Sequence, residues 1–158
     1  MTEPDTLKYE KAPPGSPDRF RLTEAAHFKW ANPPAWIWGI IAGAGGIRLD
    51  NGYLVSYTNK DGKRELCACV FRGFYFAISV APSFARALPA GCLHDWLYAH
   101  ADELALHWGC PARTVLHIAD HWFLANMRAT NFLFKRSYFT AVRMLGYWFN
   151  RLFAKGKT

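Results

Sequence analysis

The 158 residues suit one domain with its own core, and the 51% apolar and 16% aromatic content excludes a disordered polar tail. A net charge of +7 favours anionic partners. The Lys and Arg residues are scattered, with loose groups at Lys60-Asp61-Gly62-Lys63-Arg64, Lys135-Arg136 and Lys155/Lys157, so nucleic acid is an unlikely partner.

Residues 1–18 hold Pro4, Pro13, Pro14, Gly15 and Pro17 among charges and read as a flexible N-terminal arm. Their acidic, polar start is unlike a signal peptide. Residues 19–158 read as a single α+β domain, β-rich over 19–82 and helical over 88–155. A turn-rich aromatic stretch through Trp30, Pro33, Pro34, Trp36 and Trp38 carries no assignment. The apolar run 35–47 is too short and too glycine-rich to cross a bilayer. Gly43, Gly45 and Gly46 lack the strand–loop–helix setting and the Gly-Lys-Ser/Thr ending of a phosphate-binding loop, and read as a connection.

Strands follow at 47–49, 53–58, 65–71 and 74–80, rich in aromatic and β-branched residues. Asp50-Asn51-Gly52, Asn59-Lys60-Asp61-Gly62 and Arg72-Gly73 supply the turns of an antiparallel meander, which Pro82 and Pro89 close. Three helices come next. Residues 90–108 carry Leu93, Leu97, Leu104 and Trp108, and stop at Gly109-Cys110-Pro111. Residues 112–129 place Val115, Ala119, Trp122 and Phe123 at helical spacing. Residues 132–154 carry a stripe from Phe134 to Leu152, interrupted by Lys135, Arg136, Arg143 and Arg151, so this helix is not transmembrane. Strands then helices, without alternation, predict an α+β fold.

The four cysteines do not form a disulfide scaffold. Cys67 and Cys69 share one strand face and lie too close in sequence for an easy bridge, so buried reduced thiols are expected. His117 and His121 have a chelating i, i+4 spacing but lack the Glu of a zinc-protease helix, and Cys67-x-Cys69 lacks a second pair. His100 and His107 read as rim residues.

The densest chemistry lies in Cys92-Leu93-His94-Asp95-Trp96-Leu97-Tyr98, with Ala119-Asp120 on the following helix. His94 and Tyr98 are one turn apart and share a face, while Asp95 points about 100° away. An imidazole can act as general base there, the neighbouring carboxylate can turn to a metal, and Asp120 can fix the imidazole tautomer. The same residues also suit a buried polar network that sets helix register without chemistry.

The stretch Gly73-Phe74 … Pro82 … Leu88-Pro89-Ala90-Gly91-Cys92-Leu93-His94-Asp95-Trp96-Leu97-Tyr98 … Ala119-Asp120-x-x-Phe123-Leu124 … Tyr138-x-x-x-Val142-Arg143-x-x-Gly146 resembles a phage and bacterial family known as domain of unknown function 1353. The resemblance covers about residues 47–150. Its helical part is similar to the small phospholipase A(2) enzymes of bacteria and parvovirus capsids. That similarity implies His94 as the base, Asp95 as a calcium ligand, Asp120 and Tyr98 as supports of His94, and calcium as a hard Lewis acid on an ester carbonyl. Where the phage family has Asp-Gly-Ala-Ser, this chain has Ala77-Ile78-Ser79-Val80, and no glycine-rich calcium loop lies between Gly73 and Gly91.

The resemblance implies a phage-type protein of host cytoplasm or virion, a lipid or ester hydrolase acting on phospholipid. Its alternatives are a non-catalytic virion-associated or accessory protein bound to phage structural proteins, and a module that binds a host partner.

Overall fold

The computed structural model describes residues 7–16, 20–76, 87–129 and Thr140. Within them the chain is an α+β protein, with two antiparallel sheets built mainly from its N-terminal half and helices concentrated after them. The first sheet has the order β1 (Tyr9–Lys11), β2 (Phe20–Leu22), β7 (Tyr75–Phe76). The second runs β3 (Ala26–Ala31), β6 (Arg64–Val70), β5 (Gly52–Thr58), β4 (Gly46–Leu49). The helices are α1 (Ala35–Ile41), α2 (Leu88–Ala99), α3 (Ala101–Trp108) and α4 (Ala112–Ala129).

β4, β5 and β6 form the expected meander, but its ends differ from expectation. β6 takes β3 as its other neighbour, and β7 crosses to pair with β2. Tyr9–Lys11, inside the stretch read as an arm, pairs with β2 along its length. β3 occupies part of the unassigned aromatic stretch, and its pattern is a simple alternation: Ala26, Phe28 and Trp30 are buried while His27, Lys29 and Ala31 are exposed. α1 fills more of that stretch, seated through Ile37 and Ile41.

Turn chemistry sets the hairpins. Asn59 closes β5 to β6, its Oδ1 accepting the amide N–H of Asp61 at 3.0 Å and of Lys63 at 2.9 Å. At Gly52 the reason for glycine is space. A Cβ there would collide with the Cys69 carbonyl oxygen of β6 and lie 2.6 Å from Cζ2 of Trp96, so β5 begins close under both its neighbouring strand and the indole of α2.

One apolar core joins sheet and helices. Trp30 of β3 stacks on Trp122 of α4, with ring centroids 5.7 Å apart. Trp96 is fully buried, and α2 lies along α4. The helix expected over 90–108 is two helices that meet at His100, whose φ of −108° and ψ of 18° break the helical run. Pro89, read as the end of the strands, sits in the first turn of α2, where its missing N–H costs nothing. Gly109 ends α3 in the left-handed region at φ 63°. α4 has the expected bounds. The expected helix over 132–154, apart from the helical Thr140, and the end of the strand over 74–80 lie outside the described residues.

Candidate functional site

α2 and α4 bring three of the sequence-predicted residues together. Asp120 Oδ1 accepts the hydroxyl of Tyr98 at 2.8 Å and lies 3.0 Å from Nε2 of His94. The i, i+4 spacing along α2 aligns His94 and Tyr98, whose rings stand 4.1 Å apart. Ala119 and Phe123, both buried on α4, seat Asp120 against α2. Phe123 adds an edge-on wall, its ring 5.3 Å from the imidazole. Sequence reasoning placed Phe123 in the core stripe. Its position one turn after Asp120 is the signal that it also faces the imidazole.

The tautomer follows from the partners. As a carboxylate, Asp120 only accepts, so it takes the Tyr98 O–H and an N–H from His94 Nε2. The neutral imidazole then carries its lone pair on Nδ1. That nitrogen faces Asp95, whose Oδ1 lies 3.6 Å away, beyond a hydrogen bond but near enough for charge to matter.

His94 is 8% exposed and Asp120 3%, so both sit largely out of water. Burial is the largest influence on His94 and disfavours the imidazolium. The hydrogen bond to Asp120 and the charges of Asp95 and Asp120 oppose it and together prevail, so the imidazole holds its proton above the ordinary 6.5. The network is a base strengthened by its neighbours.

Asp95, the residue that the resemblance assigns to calcium, has a side chain 30% exposed, turned beside His94 Nδ1. Among the described residues no group of three or more His, Cys, Asp or Glu side chains is arranged to hold a metal ion. The segment upstream of α2 that carries Ala77 lies outside the described residues.

The other candidates separate from this cluster. His121 turns its ring edge-on to Trp36, 5.3 Å away, and His117 is half-buried on the same helix face. His100, expected at the rim, is buried: its ring packs on Trp96 and Nδ1 lies 3.1 Å from Glu103 Oε1. All four cysteines are free thiols. Burial pushes the Cys67, Cys69, Cys92 and Cys110 thiols above their ordinary range, which keeps them protonated and unreactive.

A second polar cluster lies on the outer face of the larger sheet. Glu65 is 5% exposed, pairs with Lys29 Nζ at 2.7 Å and accepts Asn59 Nδ2 at 3.1 Å. The Lys29 hydrogen bond is the main influence holding its carboxyl below the usual range. No family model, curated protein or solved structure matches the chain.

Proposed function

We propose that the chain is an ester hydrolase of phospholipase type, with His94 as general base and lipid esters as substrate. One observation carries the reading: Asp120 engages Nε2 of His94 and the Tyr98 hydroxyl together, which leaves Nδ1 as the basic nitrogen. In the proposed reaction a water oxygen attacks the ester carbonyl while its proton moves to Nδ1. The imidazolium is stabilised by Asp120 and Asp95. The carbon–oxygen bond to the alcohol then breaks and Nδ1 returns the proton to the leaving alkoxide. Asp120 and Tyr98 are positioning residues in this scheme. The phage-type character and a phospholipid substrate rest on the resemblance of the His-Asp-x-x-Tyr segment.

The test is fatty-acid release from mixed phospholipid vesicles, with calcium and with chelator, beside His94→Ala. Release that disappears in the variant supports the reading, and calcium dependence would make Asp95 the ligand. Absence of release from well-folded protein under every condition would sink it.

The depth of His94 and Asp120 favours a second reading. A buried polar network between α2 and α4 fixes helix register in a non-catalytic virion-associated or accessory protein, or in a module that binds a host partner. Under it, Asp120→Ala unfolds the protein and no ester is cleaved by the parent.

A further inference from the structure

The feature that the hydrolase reading leaves unused is the segment around α1. Residues 33–47 carry no ionisable side chain and no polar side-chain group other than the two indole N–H groups. Ile37 and Ile41 anchor the helix in the core, and the opposite side of the segment faces water. Pro34, Ala35, Trp36, Gly39, Ala42 and Gly43 are all exposed there, with Trp36 at 45%. A half-exposed indole amid small apolar residues costs solvation in water and suits a boundary between water and hydrocarbon.

Its surroundings are basic. Arg113, His117 and His121 follow one another at single-turn spacing along α4, and Trp36 lies edge-on against the last of them. On the other flank the Arg64 guanidinium sits 5.8 Å from the Trp38 ring. The chain as a whole carries +7. An apolar aromatic lip bordered by Arg64, Arg113 and two imidazoles complements an anionic lipid surface more closely than it does a neutral protein face.

We infer that α1 and its flanks form a membrane-surface contact, with Trp36 inserted among the acyl chains and the basic residues of α4 against anionic headgroups. His121 and Asp120 share α4, so a lip seated on lipid would hold the helix that carries Asp120 near the surface where lipid esters are found. In that respect the inference extends the hydrolase reading, but it concerns binding and is tested without turnover.

Full-length protein is sedimented with phosphatidylcholine vesicles and with phosphatidylcholine–phosphatidylglycerol vesicles, beside Trp36→Ala, Trp36→Phe and Arg113→Ala. Binding to the anionic vesicles is expected, weakened about tenfold in Trp36→Ala and less in Trp36→Phe, which keeps a ring against His121. Arg113→Ala weakens binding to anionic vesicles only. Quenching of tryptophan emission by brominated lipid should fall in Trp36→Phe. Equal sedimentation of parent and Trp36→Ala would overturn the inference, as would failure to bind anionic vesicles. Trp36-dependent self-association without vesicle binding would overturn it in favour of a protein contact. Vesicle binding that depends on Trp36 without any hydrolysis keeps the surface and removes the enzyme. Cleavage of a soluble monomeric ester with no vesicle binding does the reverse.

Discussion

Two buried carboxylates, one on the outer face of the larger sheet and one between α2 and α4, are compensated by different partners. Glu65 meets Lys29, a permanent cation, together with the side-chain amide of Asn59 and the Tyr57 hydroxyl. Asp120 meets an imidazole and a phenol. The first arrangement fixes charge and has no proton to exchange near neutral pH. The second is built around a group that gains and loses a proton there. Carboxylate burial alone therefore does not mark a candidate site. The titratability of the partner does.

The largest expected effect tests this contrast directly. If the α2–α4 cluster is catalytic, Asp120→Asn lowers kcat by about 10²–10⁴ while circular dichroism stays native, because the tautomer of His94 is no longer held. Lys29→Met, the matching change on the sheet, is expected to leave hydrolysis untouched and to lower the melting temperature. Equal losses of activity in both variants would erase the distinction.

Gly52→Ala links the two regions. The added methyl meets the Cys69 carbonyl oxygen on β6 and Trp96 on the helix that carries His94, and overpacking of this kind costs about 1–3 kcal/mol. Urea unfolding should show that loss, and hydrolysis should fall with it as α2 shifts. A neutral result would mean that β5 can shift clear of both the Cys69 carbonyl and Trp96 without loss.

Smaller again is Tyr98→Phe, which removes one donor to Asp120 and is expected to cost about 1 kcal/mol by equilibrium unfolding. Its effect on kcat should be well below that of Asp120→Asn.

The two regions also differ in the sign of their pH dependence. His94 binds its proton more tightly when folded, so its contribution to stability is complete below the ordinary 6.5 and is lost as pH rises through the raised value. Glu65 is held below the ordinary 4.5 when folded, so its contribution is present above that value and is lost as pH falls through the lowered one. Stability profiles of Lys29→Met and His94→Gln should therefore flatten at opposite ends. Hydrolysis needs neutral His94, so its rate should climb with pH at a midpoint above 6.5, and that midpoint should drop in Asp120→Asn.

Much of this was legible along the chain because the signals are local. The β4–β5–β6 meander followed from turn residues that need only their neighbours, and α4 from a helical period closed by its own composition. His94 and Tyr98 were legible as a pair because four residues along a helix is a contact in itself. β3 was missed: Ala26 to Trp30 alternates, but the flanking prolines and tryptophans masked that period. The break at His100 was harder. Nothing between Ala99 and Ala101 is a helix breaker, and the imidazole turns inward onto Trp96, a contact made by packing.

From the sequence alone came the α+β class, the core stripe of α4 and the candidacy of His94, Asp95, Tyr98 and Asp120, because periodicity, turn chemistry and helical spacing act over a few residues. Only the tertiary structure decided that Asp120 meets both Nε2 of His94 and the Tyr98 hydroxyl, that β7 leaves the meander for β2, and that Trp36 stands against α4. Those contacts join elements far apart in the chain, and their geometry is set by how the helices and sheets bury one shared core.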